Sequence, residues 1–226
     1  MMYPQIAICN ALSEGDPDKL ADQTSDAIID LVLAHQADSD FACAVDISDD
    51  RLVIKGEYGL AMRDTVLGLR GEMENTARRV LSDAGCTPEV SGVGPDSCEV
   101  DIKLAPQPDD PLAGISGYRC LGPGNQGVVF GHATAETPSR MPLFVWLANR
   151  LAMRFDAVRK SGSIPWLAPS ASATTYVEYL NAGGEIITKI EFGMAHSTTI
   201  PEKELTDRII KEIILPVIPV KYHNPD

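Results

Sequence analysis

Apolar and polar positions alternate along the chain in two periods, and the switches between them mark its elements. Over residues 17–36, Leu20, Ile28, Ile29, Leu31, Val32 and Leu33 recur at roughly helical spacing, which predicts a helix. Residues 41–47 and 51–58 alternate with a period of two and are separated by Ser48, Asp49 and Asp50, the pattern of a hairpin. A second helix is predicted over 73–84, with Gly85 as its C-terminal stop. A further strand is predicted over 98–104.

The second half follows the same order. Residues 141–158 predict a helix, and 174–180 and 185–192 a hairpin around Asn181, Ala182, Gly183 and Gly184. Residues 202–215 predict a last helix, with Pro201 suited to its first turn and Pro216 closing it. Helix, hairpin, helix twice over predicts an α+β protein of two repeated units, each packing its helices on one face of a mixed sheet. The units are expected at 1–104 and 128–226. Between them, residues 105–127 are rich in Pro, Gly and Asp, and a connection of this length is either a functional loop or a linker.

The composition narrows what the units can do. At 226 residues, with 44% hydrophobic and 23% charged positions, the chain has enough material for real cores. It holds no run of 18 apolar residues, so no membrane span is expected, and its first residues do not resemble a secretory signal. A net charge of −13 argues against a nucleic-acid partner. The five cysteines (Cys9, Cys43, Cys86, Cys98 and Cys120) form no Cys-x-x-Cys pair. They read as reduced thiols of a cytoplasmic protein.

The most informative stretch is 13–23, Ser-Glu-Gly-Asp-Pro-Asp-Lys-Leu-Ala-Asp-Gln. It resembles the opening signature of the S-adenosylmethionine synthetase (methionine adenosyltransferase) family, Ser-Glu-Gly-His-Pro-Asp-Lys-Ile-Ala-Asp-Gln, with Asp16 in place of the histidine. The stretch from Gly122 to Thr134 resembles the family's second motif, Gly-Ala-Gly-Asp-Gln-Gly-x-x-Phe-Gly-Tyr-Ala-Thr. Arg159, Lys160, Gly162, Pro165, Trp166 and Leu167 resemble its Arg-Lys-x-Gly-x-x-Pro-Trp-Leu segment. Residues 212–219, with Asn224 and Pro225, resemble the region near its last third. The family's third repeat and basic block would lie beyond residue 226.

The resemblance implies roles for particular residues. Asp18 matches the aspartate that holds Mg²⁺, and Lys19 the lysine beside it; read from its residue type alone, Asp18 would cap the helix it begins. Glu57 matches a glutamate that contacts the methionine moiety, or is an ordinary charged strand end. Glu14 and Gln126 also match and are taken as ligand-binding.

The departures form a set of their own. The family's catalytic histidine falls on Asp16, its potassium-site glutamate on Ala44 and the aspartate of its second motif on Asn125. The aspartate and lysine after Pro-Trp-Leu-x-Pro fall on Ser170 and Ser172. Two like charges 4 Å apart repel by roughly 4 kcal/mol at an effective dielectric near 20. Asp16 beside a triphosphate is therefore unfavourable, whereas Asp16, Asp18, Asp22 and Glu57 suit a sulfonium such as that of S-adenosylmethionine. The expectation is a small-molecule enzyme acting on a sulfonium substrate, with Asp16 as general base and Asn125 as a polar positioning group. The alternatives are a subunit of a heteromeric adenosyltransferase, or a non-catalytic regulatory homologue. A homodimer built through the sheets is expected, since each short repeat leaves one sheet face without helices. His132, His196 and Trp166 read as structural.

Overall fold

The computed structural model describes residues 5–107, 128–181, 183–197 and 200–222. Strand β1 (Gln5–Leu12) leads through the signature stretch into helix α1 (Pro17–His35), followed by strands β2 (Phe41–Ser48) and β3 (Arg51–Tyr58). A 3₁₀ turn (Leu60–Met62) and helix α2 (Arg63–Gly68) run into α3 (Arg70–Asp83), and the short α4 (Pro88–Ser91) precedes β4 (Glu99–Pro106). The second half contains α5 (Leu143–Lys160), β5 (Leu167–Tyr179), β6 (Glu185–His196) and α6 (Glu202–Ile209). Helix α6 passes into a π-helical turn (Ile210–Ile214), and Val220–Tyr222 forms a 3₁₀ turn. The fold is α+β, as the periodicities predict.

Two three-stranded sheets organise the described residues, in the orders β2-β3-β4 and β1-β5-β6. In the first, β2 and β3 are antiparallel and β4 lies parallel to β3. Its helix-facing side is set by alternation along β3, which buries Leu52, Ile54 and Tyr58 and exposes Arg51, Lys55 and Glu57. These residues join Leu20, Ile28 and Val32 of α1 and Met73, Ala77 and Leu81 of α3 in one core. The second sheet is antiparallel throughout. Its core joins Leu147, Leu151, Phe155 and Val158 of α5 to Ala171 and Ala173 of β5 and to Ile209 and Ile213 of the last helix.

Strand β1 departs from the expected division of the chain. Residues 5–12 fall within the first expected unit, yet β1 pairs with β5 from Gln5↔Tyr179 to Leu12↔Ser172. The unit expected at 1–104 therefore contributes its first strand to the sheet of the second half. Ala11 of β1 packs on Ala148 and Ala152 of α5, with Cys9 beside them. Its inward side chains are small and its outward ones include Ile6 and Ile8, so its hydropathy shows no clean alternation. Strand β5 also begins at Leu167, earlier than expected, because Pro169 and a run of Ser and Ala obscure its opening. The register with β6 shifts across that stretch, between Leu167 and Ala171.

No helix among the described residues is long and apolar enough to cross a membrane. Asn125, Gln126 and Cys120, with most of the 105–127 connection, lie outside the described residues.

Candidate functional site

The signature stretch is held against β5 and α5 residue by residue. Ser13 is wholly buried. Its Oγ donates to the carbonyl of Pro169 at 2.7 Å and accepts from the N–H of Ala171 at 2.7 Å, while its own N–H donates to the Ala171 carbonyl at 2.8 Å. Gly15 rests directly on Pro169, for a Cβ added there would stand 2.2 Å from the proline Cβ. Any larger residue must displace β5.

Glu14 turns toward α5. Its carboxylate accepts from Arg159 Nη2 at 2.6 Å and from Lys160 Nζ at 2.8 Å. Its backbone N–H donates to Asp156 Oδ2 at 3.1 Å. The Glu14–Arg159 pair is well shielded, with side chains 19% and 11% exposed, so it holds its geometry better than a surface ion pair. Burial pushes the Asp156 carboxyl up to about 6, against the opposing pull of the Glu14 N–H. Its Oδ1 is buried without a hydrogen-bond partner among the described residues.

Asp16 is the N-cap of α1. Its backbone is extended, and its Oδ1 accepts from the N–H of Asp18 at 3.1 Å. Pro17 then occupies the first helical position, where its missing N–H costs nothing. Asp18 is therefore not the cap. It lies exposed in the first turn, where its charge suits the helix dipole, with Lys19 exposed beside it.

One small cavity, about 130 Å³, opens at this point and is lined by Asp16, Ser170, Ala171, Ser172, Gly193, Met194 and Ala195. Its lining thus carries one carboxylate and two hydroxyl groups, and no lysine, arginine or histidine. Asp16 comes from the helix start, the serines from the outward positions of β5, and Gly193 and Ala195 from β6. Three positions at which the sequence departs from the motifs it resembles, Asp16 and, more than a hundred residues later, Ser170 and Ser172, converge on this one cavity.

Two domain profiles cover the chain. The S-adenosylmethionine synthetase N-terminal domain matches residues 5–109, and the S-adenosylmethionine synthetase central domain matches residues 120–226. The chain belongs to the S-adenosylmethionine synthetase family.

In this synthetase-family chain the predicted site residues separate into distinct groups. Asp16 reaches the cavity with Ser170 and Ser172. Glu14, expected to meet the ligand, is held by Arg159 and Lys160. Glu57 stands exposed on the outward side of β3, opposite Ala42 and Ala105, and does not line the cavity. Ala44 lies on the same side, opposite Lys55.

The family implies Mg²⁺. Among the described residues there is no group of three or more His, Cys, Asp or Glu side chains able to hold a metal ion, and Asp18 is exposed. Mg²⁺ is commonly shared between one or two carboxylates and substrate phosphates. The described residues do not fit a metal held by the protein itself.

Cys9, Cys43, Cys86 and Cys98 are unpaired thiols, and burial raises each, Cys43 to about 11. They remain protonated and unreactive at neutral pH. His196 packs the edge of its ring on Trp166, with centroids 6.3 Å apart, and its Nδ1 bonds the Ser197 carbonyl at 2.8 Å. Trp166 packs against the second core. Ser13, Asp156 and Arg159 have positional roles that residue type and spacing did not reveal. Ser13 carried a signal as the first residue of the signature stretch, and Arg159 as part of the Arg-Lys-x-Gly segment; Asp156 reads as an ordinary charge one helical turn before Arg159.

Proposed function

We propose that this synthetase-family chain binds S-adenosylmethionine or a methionine-containing ligand at the signature loop and acts on a sulfonium rather than making one from ATP. The observation that supports this most is the cavity beside Asp16, with one carboxylate, two serines and no cationic side chain in its lining. A triphosphate needs positive charge there, and a sulfonium needs the opposite. The cavity is too small for a whole nucleoside ligand, so it takes the charged end, with the remainder lying along the outward side of β5 and β6. Asp16 is the candidate general base, using the oxygen that does not accept from Asp18. The unpaired thiols suit a reducing compartment such as the cytoplasm.

Calorimetry with ATP, methionine and S-adenosylmethionine tests this reading. Wild type should prefer S-adenosylmethionine to ATP. Asp16→Asn preserves a good N-cap and should weaken sulfonium binding by roughly 1–3 kcal/mol. Asp16→His should improve ATP binding without producing synthesis. Preference of the wild type for ATP, or unchanged sulfonium affinity in Asp16→Asn, would leave Asp16 as a helix cap and nothing more.

A second reading, a subunit of a heteromeric adenosyltransferase, draws on the outer edge of β6. In the first sheet β3 carries β4 on the side away from β2. In the second, no strand among the described residues pairs with β6 on the side away from β5. A strand from a partner chain would complete that edge. Co-expression with a chain carrying the family's third repeat tests it: a stable complex with synthetase activity supports the reading, and separate elution opposes it.

A further inference from the structure

A larger cavity, about 550 Å³, lies where the first half of the chain meets the second, and Arg159 and Pro169 of its lining also seat the signature loop. Gly85 and Val90 border it from one side. Arg159, Trp166, Pro165 and His196 border it from the other. This volume falls within the usual range of small-molecule sites, which favour junctions between structural units.

Arg159 distinguishes this cavity from an ordinary surface hollow. Its side chain is only 11% exposed, and Nη2 is engaged by Glu14. Its Nε is buried and finds no hydrogen-bond partner among the described residues. A guanidinium presents five N–H donors in a fixed plane, and a buried donor left unmet is costly. The chain makes room for this group at Gly85, which has φ +76°; a Cβ there would stand 2.8 Å from Arg159 Nη1. The rest of the lining is largely apolar, with the Trp166 indole, the His196 ring against it, Pro165 and Val90, and it carries one carboxylate, Glu89.

We propose that this cavity is a second binding site, for a small carboxylate with an apolar or aromatic body. The carboxylate would accept a charge-assisted hydrogen bond from Arg159 Nη1, the guanidinium nitrogen beside Gly85 of the cavity lining. The body would lie on Trp166 and Pro165. Residues of the signature-loop cavity other than Ala195 take no part, so the proposal stands or falls independently of the sulfonium reading.

Trp146 and Trp166 are the two tryptophans of the chain, so two indole N–H signals in a ¹⁵N–¹H spectrum report on the whole protein, assigned by Trp146→Phe. Phenylacetate is the probe and phenylacetamide the uncharged control. Phenylacetate should shift the Trp166 signal saturably, with a Kd near or below about 1 mM, and phenylacetamide should bind at least about tenfold more weakly. Val90 is exposed, and Val90→Trp should fill the cavity and abolish the shift without touching the Arg159–Glu14 pair; its own added indole signal is assigned by difference. Arg159→Lys should bind phenylacetate at least about tenfold more weakly, if the variant remains folded. No saturable shift, equal binding of the amide, or full binding in Val90→Trp would each overturn the proposal.

Discussion

The two sheets share a plan of helices on one side, yet their other sides differ. The outward side of β2-β3-β4 carries Asp46, Arg51, Lys55, Glu57, Glu99, Asp101 and Lys103. Most are matched within the sheet: Lys55 pairs with Asp46, Arg51 reaches Asp101 at 3.1 Å and Glu99 at 3.9 Å, and Lys103 reaches Asp101 at 3.2 Å. The outward side of β1-β5-β6 carries Ile6 and Ile8, 56% and 54% exposed, with Ile186 also exposed. Its charges include Glu178, opposite Ile6, and the pair Lys189 and Glu191: the Tyr176 hydroxyl donates to Glu191 at 2.7 Å, and Lys189 pairs with Glu191 above the tyrosine ring. A lattice of opposite charges is at ease in water, whereas three exposed isoleucines on one sheet favour a second surface. The first sheet is thus finished toward solvent, and the second is the better candidate for the proposed pairing of two copies of the chain.

The largest effect should come from the loop seated on the second sheet. Gly15→Ala drives a methyl group into Pro169 and should cost about 3 kcal/mol or more, and Ser13→Ala, which strands a buried carbonyl and N–H, about 2–3 kcal/mol. Ser48→Ala on the first sheet should change stability by less than about 0.5 kcal/mol. Denaturant unfolding of the three variants compares the sheets directly; equal losses would show that the loop is not seated as described.

Self-association comes next. If the isoleucine face pairs copies of the chain, Ile8→Lys should weaken association by about thirtyfold, and Lys103→Ile on the other sheet should leave it unchanged. Light scattering across a concentration series reads both. A wild type that is monomeric at micromolar concentration removes the dimer altogether.

A smaller effect is expected at Asp156, beneath the loop. Its folded value is about 6, above the ordinary carboxylate value of 3.8. The unfolded chain therefore releases this proton first as pH rises, and stability should fall between about pH 4 and pH 6. Asp156→Asn keeps an acceptor for the Glu14 N–H and should remove that loss. The gain at pH 7 should be about 1 kcal/mol, after discounting for the solvent that reaches this half-buried group, with little change at pH 4. Thermal melts at the two pH values check it, and a larger gain at pH 4 would reverse the sign.

The smallest effect belongs to the exposed lattice. Arg51→Ala should cost no more than about 0.5 kcal/mol, and less in high salt. Denaturant titrations at two ionic strengths suffice.

Much of this fold is legible from local pattern. Both hairpins and the helices at α1, α3, α5 and α6 follow from spacing, because a helix or hairpin buries a side that its own residues define. Strand β1 does not follow. Its inward residues are small because α5 lies close through Ala148 and Ala152, and nothing in residues 5–12 records that helix. Helix α2 was likewise not anticipated, being only six residues long and running almost directly into α3.

Pattern and motif along the chain suffice for the α+β class, the repeated order of helices and hairpins, the membership of the S-adenosylmethionine synthetase family and the identity of the substituted positions. It took the packing of the elements to show that Asp16, Ser170 and Ser172 line one cavity while Glu57 stands on another sheet. The packing likewise decided that Glu14 belongs to Arg159 and Lys160, and that Arg159 faces a second cavity with a donor to spare. The physical reason is range. Periodicity records which side of an element avoids water, a property of residues a few positions apart. Which elements then meet is settled by burying those sides together across more than a hundred residues of chain, and no local pattern carries that pairing.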